Sequence, residues 1–286
     1  MCIACRKKIK ENFQKKAVET YNEINEEKVT KFSELQSKLT NLSDVPCEDQ
    51  YFGVINIDKK SMPSYCEWTV IPVVKADYES NKGLFATKRE EINIEIQQKI
   101  KEEKLKTIVI VLESPHTDEF LEEDGWKSVG PACGSTGKNL KEWFPAVLLN
   151  YVPSFVDKEN NFKAKYNSLK DIESGEYVIK LINAIQYQCS LGEGTKTYRD
   201  QVFRGVWEEE STKECFRKRL QGADPYVIIN CCTKGNGNDK VENELRRLVQ
   251  VEINKANIEC LLLRAAHPSS VHFKNGLSCV DENNVE

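Results

Sequence analysis

The chain has no long apolar run. The longest, Ile108–Leu112, is far short of the roughly 18 residues that a membrane-spanning helix needs. Histidine is scarce, with 3 among 286 residues. No internal repeat or low-complexity tract is found, which excludes solenoids, propellers and collagen-like rods. Neither charge dominates: 45 acidic against 41 basic side chains give −4. That balance argues against a polybasic nucleic-acid binder and leaves room for a local basic groove. A secretory apolar stretch is also missing, because Met1-Cys2-Ile3-Ala4-Cys5 passes directly into Arg6-Lys7-Lys8. The expectation is a cytoplasmic chain with no membrane partner, its 11 cysteines mainly reduced, buried or metal-bound.

What is present suffices for a core. Apolar residues make up 40% and aromatics 9%, too much for a disordered chain, and the length suits one or two domains. Over residues 6–42, Ile9, Phe13, Ala17, Tyr21, Ile24, Phe32, Leu35, Leu39 and Leu42 recur at helical spacing among Lys, Glu and Gln. Short strands are expected at Phe52–Ile57 and Thr69–Val74, and a helix over 87–105. From Thr107 the character changes. Ile108–Leu112 is a continuous β-branched run, the pattern of a strand covered on both faces. Similar runs follow at Tyr177–Ala184, Tyr226–Asn230 and Cys260–Ala265, separated by helical stretches at 137–149, 211–221 and 239–256. Such alternation predicts a parallel sheet between helical layers, with ligands bound at the strands' carboxyl ends.

Each of these four strands runs into polar residues: Glu113-Ser114-Pro115-His116-Thr117-Asp118, Asn183, Asn230-Cys231-Cys232-Thr233-Lys234 and His267-Pro268-Ser269-Ser270. All three histidines, His116, His267 and His272, lie just beyond the first or fourth strand. The stretch Gly130–Asn139 is not a phosphate loop. Ala132 stands where its first glycine belongs, and Asn139 replaces the Mg²⁺-binding hydroxyl. It reads instead as backbone able to approach a planar ligand and then start a helix near Lys138.

In this order the motifs resemble the uracil-DNA glycosylase superfamily, most closely its family 4, over about residues 106–275. Leu112-Glu113-Ser114-Pro115-His116 is similar to the family's Gly-Glu-Ala-Pro-Gly, and Gly130-Pro131-Ala132-Cys133-Gly134 through Leu140 to its Gly-Pro-Phe-Val-Gly segment. Asn183-Ala184-Ile185, Pro225–Ile229 after Glu214-Cys215, and His267-Pro268-Ser269 match the remaining motifs. The resemblance implies an α/β fold, a three-layer αβα sandwich with a four-stranded parallel sheet at residues 105–280. Residues 1–104 would be an N-terminal extension of charged amphipathic helices and short strands. The implied activity is hydrolysis of an N-glycosidic bond in DNA on a base flipped out of the helix.

By the same resemblance, Glu113 positions water and stabilises the cationic sugar, with Asp118 as an alternative carboxylate. His267 donates a hydrogen bond to the leaving base, and Asn183 reads the base edge, with Ser114 and His116 in the pocket wall. Ala132 stands where the family has a base-stacking Phe. Trp126 and Phe144 are the candidates to replace that ring, or the pocket takes a larger, modified base. Such bases are typical of viral DNA, which makes antiviral defence the suggested role. Val271 falls at the family's apolar wedge, with His272 and Phe273 to help fill the gap in the stack. Lys138, Lys234, Arg264, Ser269 and Ser270 are candidate phosphate ligands, and Arg217-Lys218-Arg219 reads as a solvated helix face. The family's four-iron cluster would fall on Cys2, Cys5, Cys189 and Cys215, although catalysis needs no cofactor. Segments 151–176 and 190–213 read as enlarged loops. Uracil-excision repair, a silent nucleic-acid-binding member of the fold and a hydrolase of free nucleosides are the competing functions.

Overall fold

The computed structural model describes residues 3–39, 42–58, 65–70, 82–121, 127–154, 173–193, 197–235, 244–275 and 277–279. Its central element is a mixed seven-stranded sheet. In chain order the strands are β1 (Gln50–Asp58), β2 (Tyr65–Val70), β3 (Lys106–Leu112), β6 (Gly175–Asn183), β7 (Pro225–Asn230), β8 (Leu261–Arg264) and β9 (Ser278–Cys279). The short strands β4 (Phe120–Leu121) and β5 (Lys127–Ser128) form a separate pair. The main sheet runs β2-β1-β6-β3-β7-β8-β9. β3 lies parallel to both β6 and β7, and β8 parallel to β7. β1, β2 and β9 join antiparallel at the two edges, so the sheet is mixed and wider than the four parallel strands expected. Short edge strands carry few residues of pattern, and their place in the sheet depends on pairings far away in sequence.

Alternation along β3 explains how both faces are buried. Val109 and Val111 point to one apolar cluster, Ile108, Ile110 and Leu112 to the other. The first cluster is covered by α1 (Ile3–Ile24), α2 (Phe32–Lys38), α5 (Arg199–Trp207), α6 (Glu210–Gln221) and α7 (Leu245–Lys255). The second is covered by Leu140, Phe144, Val147 and Leu148 of α4 (Ser135–Ser154). α3 (Lys82–Glu103) sets Ile96 against Val178 near the β1 edge. No helix among the described residues is long and apolar enough to cross a membrane.

Two sequence expectations change here. The region 190–213 is not simply a loop: Val202, Phe203, Val206 and Trp207 form an apolar stripe that folds as α5 and is fully or nearly buried. Nor do residues 1–104 pack as an appendage, because β1 and β2 belong to the main sheet and α1 to its core. Ile9, Phe13, Ala17 and Tyr21 recur every fourth residue, which places them on one helix face, all buried. Phe13 stacks on Tyr187 with ring centroids 5.0 Å apart. Phe13→Ala is therefore expected to destabilise the whole fold by about 3–5 kcal/mol. Chemical denaturation checks this, and a loss below about 1 kcal/mol would mean that α1 is merely draped over the surface.

Candidate active site

Past their last residues the parallel strands stay tied together. The Ala184 and Ile185 amides donate to the Leu112 and Glu113 carbonyls at 2.7 and 2.9 Å, and the Cys231 amide to the Val111 carbonyl at 2.9 Å. The Ala265 amide donates to the Asn230 carbonyl at 3.1 Å. These bonds hold the carboxyl ends of β3, β6, β7 and β8 at one edge of the sheet. A cleft opens there, lined by Glu113, Ser114, His116, Asp118, Arg199 and His267, among others.

Glu113 lies at its floor, 4% exposed. Its Oε2 accepts the Thr233 backbone N–H at 3.3 Å and faces His267 Nε2 at 3.6 Å. Its Oε1 faces Arg199 Nη1, also at 3.6 Å. Arg199 is anchored in turn by donating from Nε to Asp200 Oδ1 at 2.8 Å. The carboxylate is thus gripped from three elements: the loops after β7 and β8 and the start of α5.

The other edge of the His267 ring fixes its tautomer. The Ser269 backbone N–H donates to Nδ1 at 3.2 Å, and the Ser269 hydroxyl lies 2.7 Å from the same atom. With Nδ1 accepting, the neutral ring carries its proton on Nε2. At 3.6 Å from Glu113 that N–H is outside hydrogen-bonding range and stays available to a ligand. Burial pushes the His267 pKa below 6.5, Glu113 opposes the shift, and Arg199 and His116 add to it. The ring is therefore neutral at pH 7. Proton binding is weaker folded than unfolded, so the stability held above pH 6.5 is lost as the pH falls through the folded value. Imidazole NMR is expected to place the His267 midpoint below 6.5, and a midpoint above it would contradict a desolvated neutral ring.

Asn183 ends β6 beside Leu112. It is 1% exposed, and neither its amide nitrogen nor its amide oxygen has a hydrogen-bond partner among the described residues. A buried amide left so costs about 1–3 kcal/mol unless a ligand or ordered water completes it. It does not line the open cleft. Its backbone is fixed by Arg219, which donates to the Asn183 and Ala184 carbonyls at 2.8 and 3.0 Å and pairs with Asp49 at 2.6 Å. Arg219 is thus no solvated helix charge; its side chain is 12% exposed and braces the strand end. Arg217 likewise pairs with the buried Glu252, and Lys218 pairs with Glu214 at the surface.

The remaining candidates divide. Asp118 lines the cleft, with one carboxylate oxygen 3.5 Å from His116 Nδ1. His116 caps the short turn Thr117–Glu119 through its ring. The glycines after β5 approach their own chain rather than open space. A Cβ on Gly137 would meet the Ala132 carbonyl at 1.9 Å, and one on Gly134, at φ +84°, the Asp118 carboxylate at 2.6 Å. The Ala132 amide donates to Glu119 at 2.9 Å, and the residue is fully buried. Phe144 replaces no stacking ring, because it is core beneath α4, and Trp126 lies outside the described residues.

Phe273 is also core at 1% exposed, as its neighbours in α4 require, so it cannot fill a base stack. By contrast, Val271 is 81% exposed and His272 is exposed. Lys138 and Lys234 are exposed, while Arg264 ends β8 half-buried. The Ser269 amide and hydroxyl serve His267, and the Ser270 hydroxyl accepts the His272 amide at 3.2 Å.

Cys5 is exposed, Cys189 is fully buried with its thiol pushed up to about 12 by burial, and Cys215 is buried. No group of three or more His, Cys, Asp or Glu is placed to hold a metal ion among the described residues, and Cys2 lies outside them.

Arg199 was missed by the sequence reading. The one local signal was an Arg-Asp pair opening an amphipathic stripe at Tyr198-Arg199-Asp200. Comparison with models of known families, with curated proteins and with solved structures returns no match for this chain.

Proposed function

We propose that the protein is a DNA glycosylase that hydrolyses the N-glycosidic bond of a flipped-out, modified base and leaves an abasic site. The sheet with helices on both faces is read accordingly as a three-layer sandwich with the four parallel strands at its centre, as the resemblance to family 4 of the uracil-DNA glycosylases implies. One observation carries the reading: a buried carboxylate, Glu113, and a neutral imidazole with an uncommitted Nε2–H, His267, face the same point of a strand-end cleft.

That pairing suits the chemistry. As the bond from C1′ to the base nitrogen breaks, its electron pair leaves with the base and the sugar becomes cationic. The Glu113 carboxylate stabilises that cation and holds the attacking water. The His267 N–H donates to the base as negative charge grows there. The water's oxygen bonds to C1′, and its proton leaves toward Glu113. Asn183, buried behind the open cleft with both amide atoms unpaired among the described residues, would supply a donor and an acceptor to a base edge only when base seating opens the cleft to it. Exposed Val271, with His272 beside it, is the apolar tip that would occupy the vacated stack.

The preference for a modified base rests on Ala132, which stands where the family has a base-stacking ring and offers none. The test is excision from oligonucleotides carrying uracil, hypoxanthine, hydroxymethylcytosine or its glucosylated forms, read as alkali-labile abasic sites. Release of a modified base is expected. Robust excision of uracil alone would replace this reading with repair, and binding without excision would replace it with recognition.

A further inference from the structure

Two polar atoms in the cleft have no work in the scheme above. The hydroxyl oxygens of Ser190 and Thr233 are buried and lack a hydrogen-bond partner among the described residues. Both residues line the cleft, and Ser190 is only 3% exposed. Buried hydroxyls in a native structure are nearly always bonded, so a pair left open on a cleft wall points to a ligand that closes them.

They follow the two strands that flank β3. Ser190 follows β6, Thr233 follows β7, and between them Arg199 opens α5, in the helical layer over Val109 and Val111. Glu119, Cys133, Ser135 and Thr136 come from the side of the glycine loop. Glu113 follows β3, the strand between β6 and β7.

Charge decides what that ligand is. The described lining carries three acidic side chains, Glu113, Asp118 and Glu119, and one basic side chain, Arg199. Arg199 is already engaged by Asp200 and Glu113. A second anion would meet unbalanced carboxylates in a poorly hydrated cleft. A neutral hydroxyl group can instead accept from Ser190 or Thr233 and donate to a carboxylate.

We infer that Ser190 and Thr233 form a specificity subsite for a neutral, hydroxyl-bearing substituent on the excised base. This rests on the glycosylase reading and deepens it. The subsite is tested by single-turnover excision of hydroxymethylcytosine, glucosylated hydroxymethylcytosine, methylcytosine and carboxylcytosine, each placed at one position of the same oligonucleotide. At least one hydroxyl-bearing base is expected to be released about tenfold or more faster than carboxylcytosine or methylcytosine. Ser190→Ala and Thr233→Val, which preserve shape, are each expected to shrink that preference by about tenfold. Equal excision of all four bases, preference for carboxylcytosine, or variants that slow every substrate alike would overturn the subsite and leave the glycosylase reading standing. Silence of the unaltered protein on these and on uracil and hypoxanthine would overturn both.

Discussion

Glu113→Gln is expected to slow base release about 10²–10⁴-fold while leaving the fold and DNA affinity in place. The substitution is nearly isosteric. A glutamine carbonyl still accepts the Thr233 N–H, and Arg199 keeps its bond to Asp200. What disappears is the negative charge that faces the developing sugar cation and the acceptor for the water's proton. Retained binding with lost turnover separates a catalytic carboxylate from one that merely ties the loops together. Loss of DNA affinity in parallel with rate, or a Tm lowered by many degrees, would assign Glu113 a structural role.

His267→Ala is expected to lower the rate about 10²–10³-fold by removing the donor to the departing base. His267→Gln, whose side-chain amide keeps an N–H at similar reach, should recover part of the loss. The distinction matters because the His267 ring also organises its own loop. Its Nδ1 accepts from the Ser269 backbone, and its carbonyl accepts from Ser270. If the ring served only that turn, alanine and glutamine would impair the protein alike. Because the ring is neutral at pH 7, the rate should show no inflection near 6.5 from this residue.

How much of this was legible depended on how local the cause is. Glu113, Asn183 and His267 stand out in the sequence because each follows a β-branched run abruptly, and parallel strands must end at a common edge. Their side-chain environments were not legible. The His267 tautomer depends on Ser269 two residues on, but its burial comes from loops distant in sequence. Arg199 reaches Glu113 only because α5 forms inside what reads as a long loop, and nothing near Glu113 announces it. Arg219 sits among Arg217, Lys218 and several glutamates, the pattern of a solvated face, yet Asp49 draws it beneath the end of β6. Phe144 as a pocket ring and Phe273 as a filler of the base stack failed for the opposite reason. Their spacing was that of core residues, and the sheet face beneath α4 claimed both.

The most direct test of the account is mass spectrometric detection of free base released from a DNA panel by the unaltered protein, with Glu113→Gln run beside it. The account predicts one modified base in solution, matched by abasic sites in the DNA, and almost none with the variant. DNA bound but intact, with no base released by either protein, would contradict it.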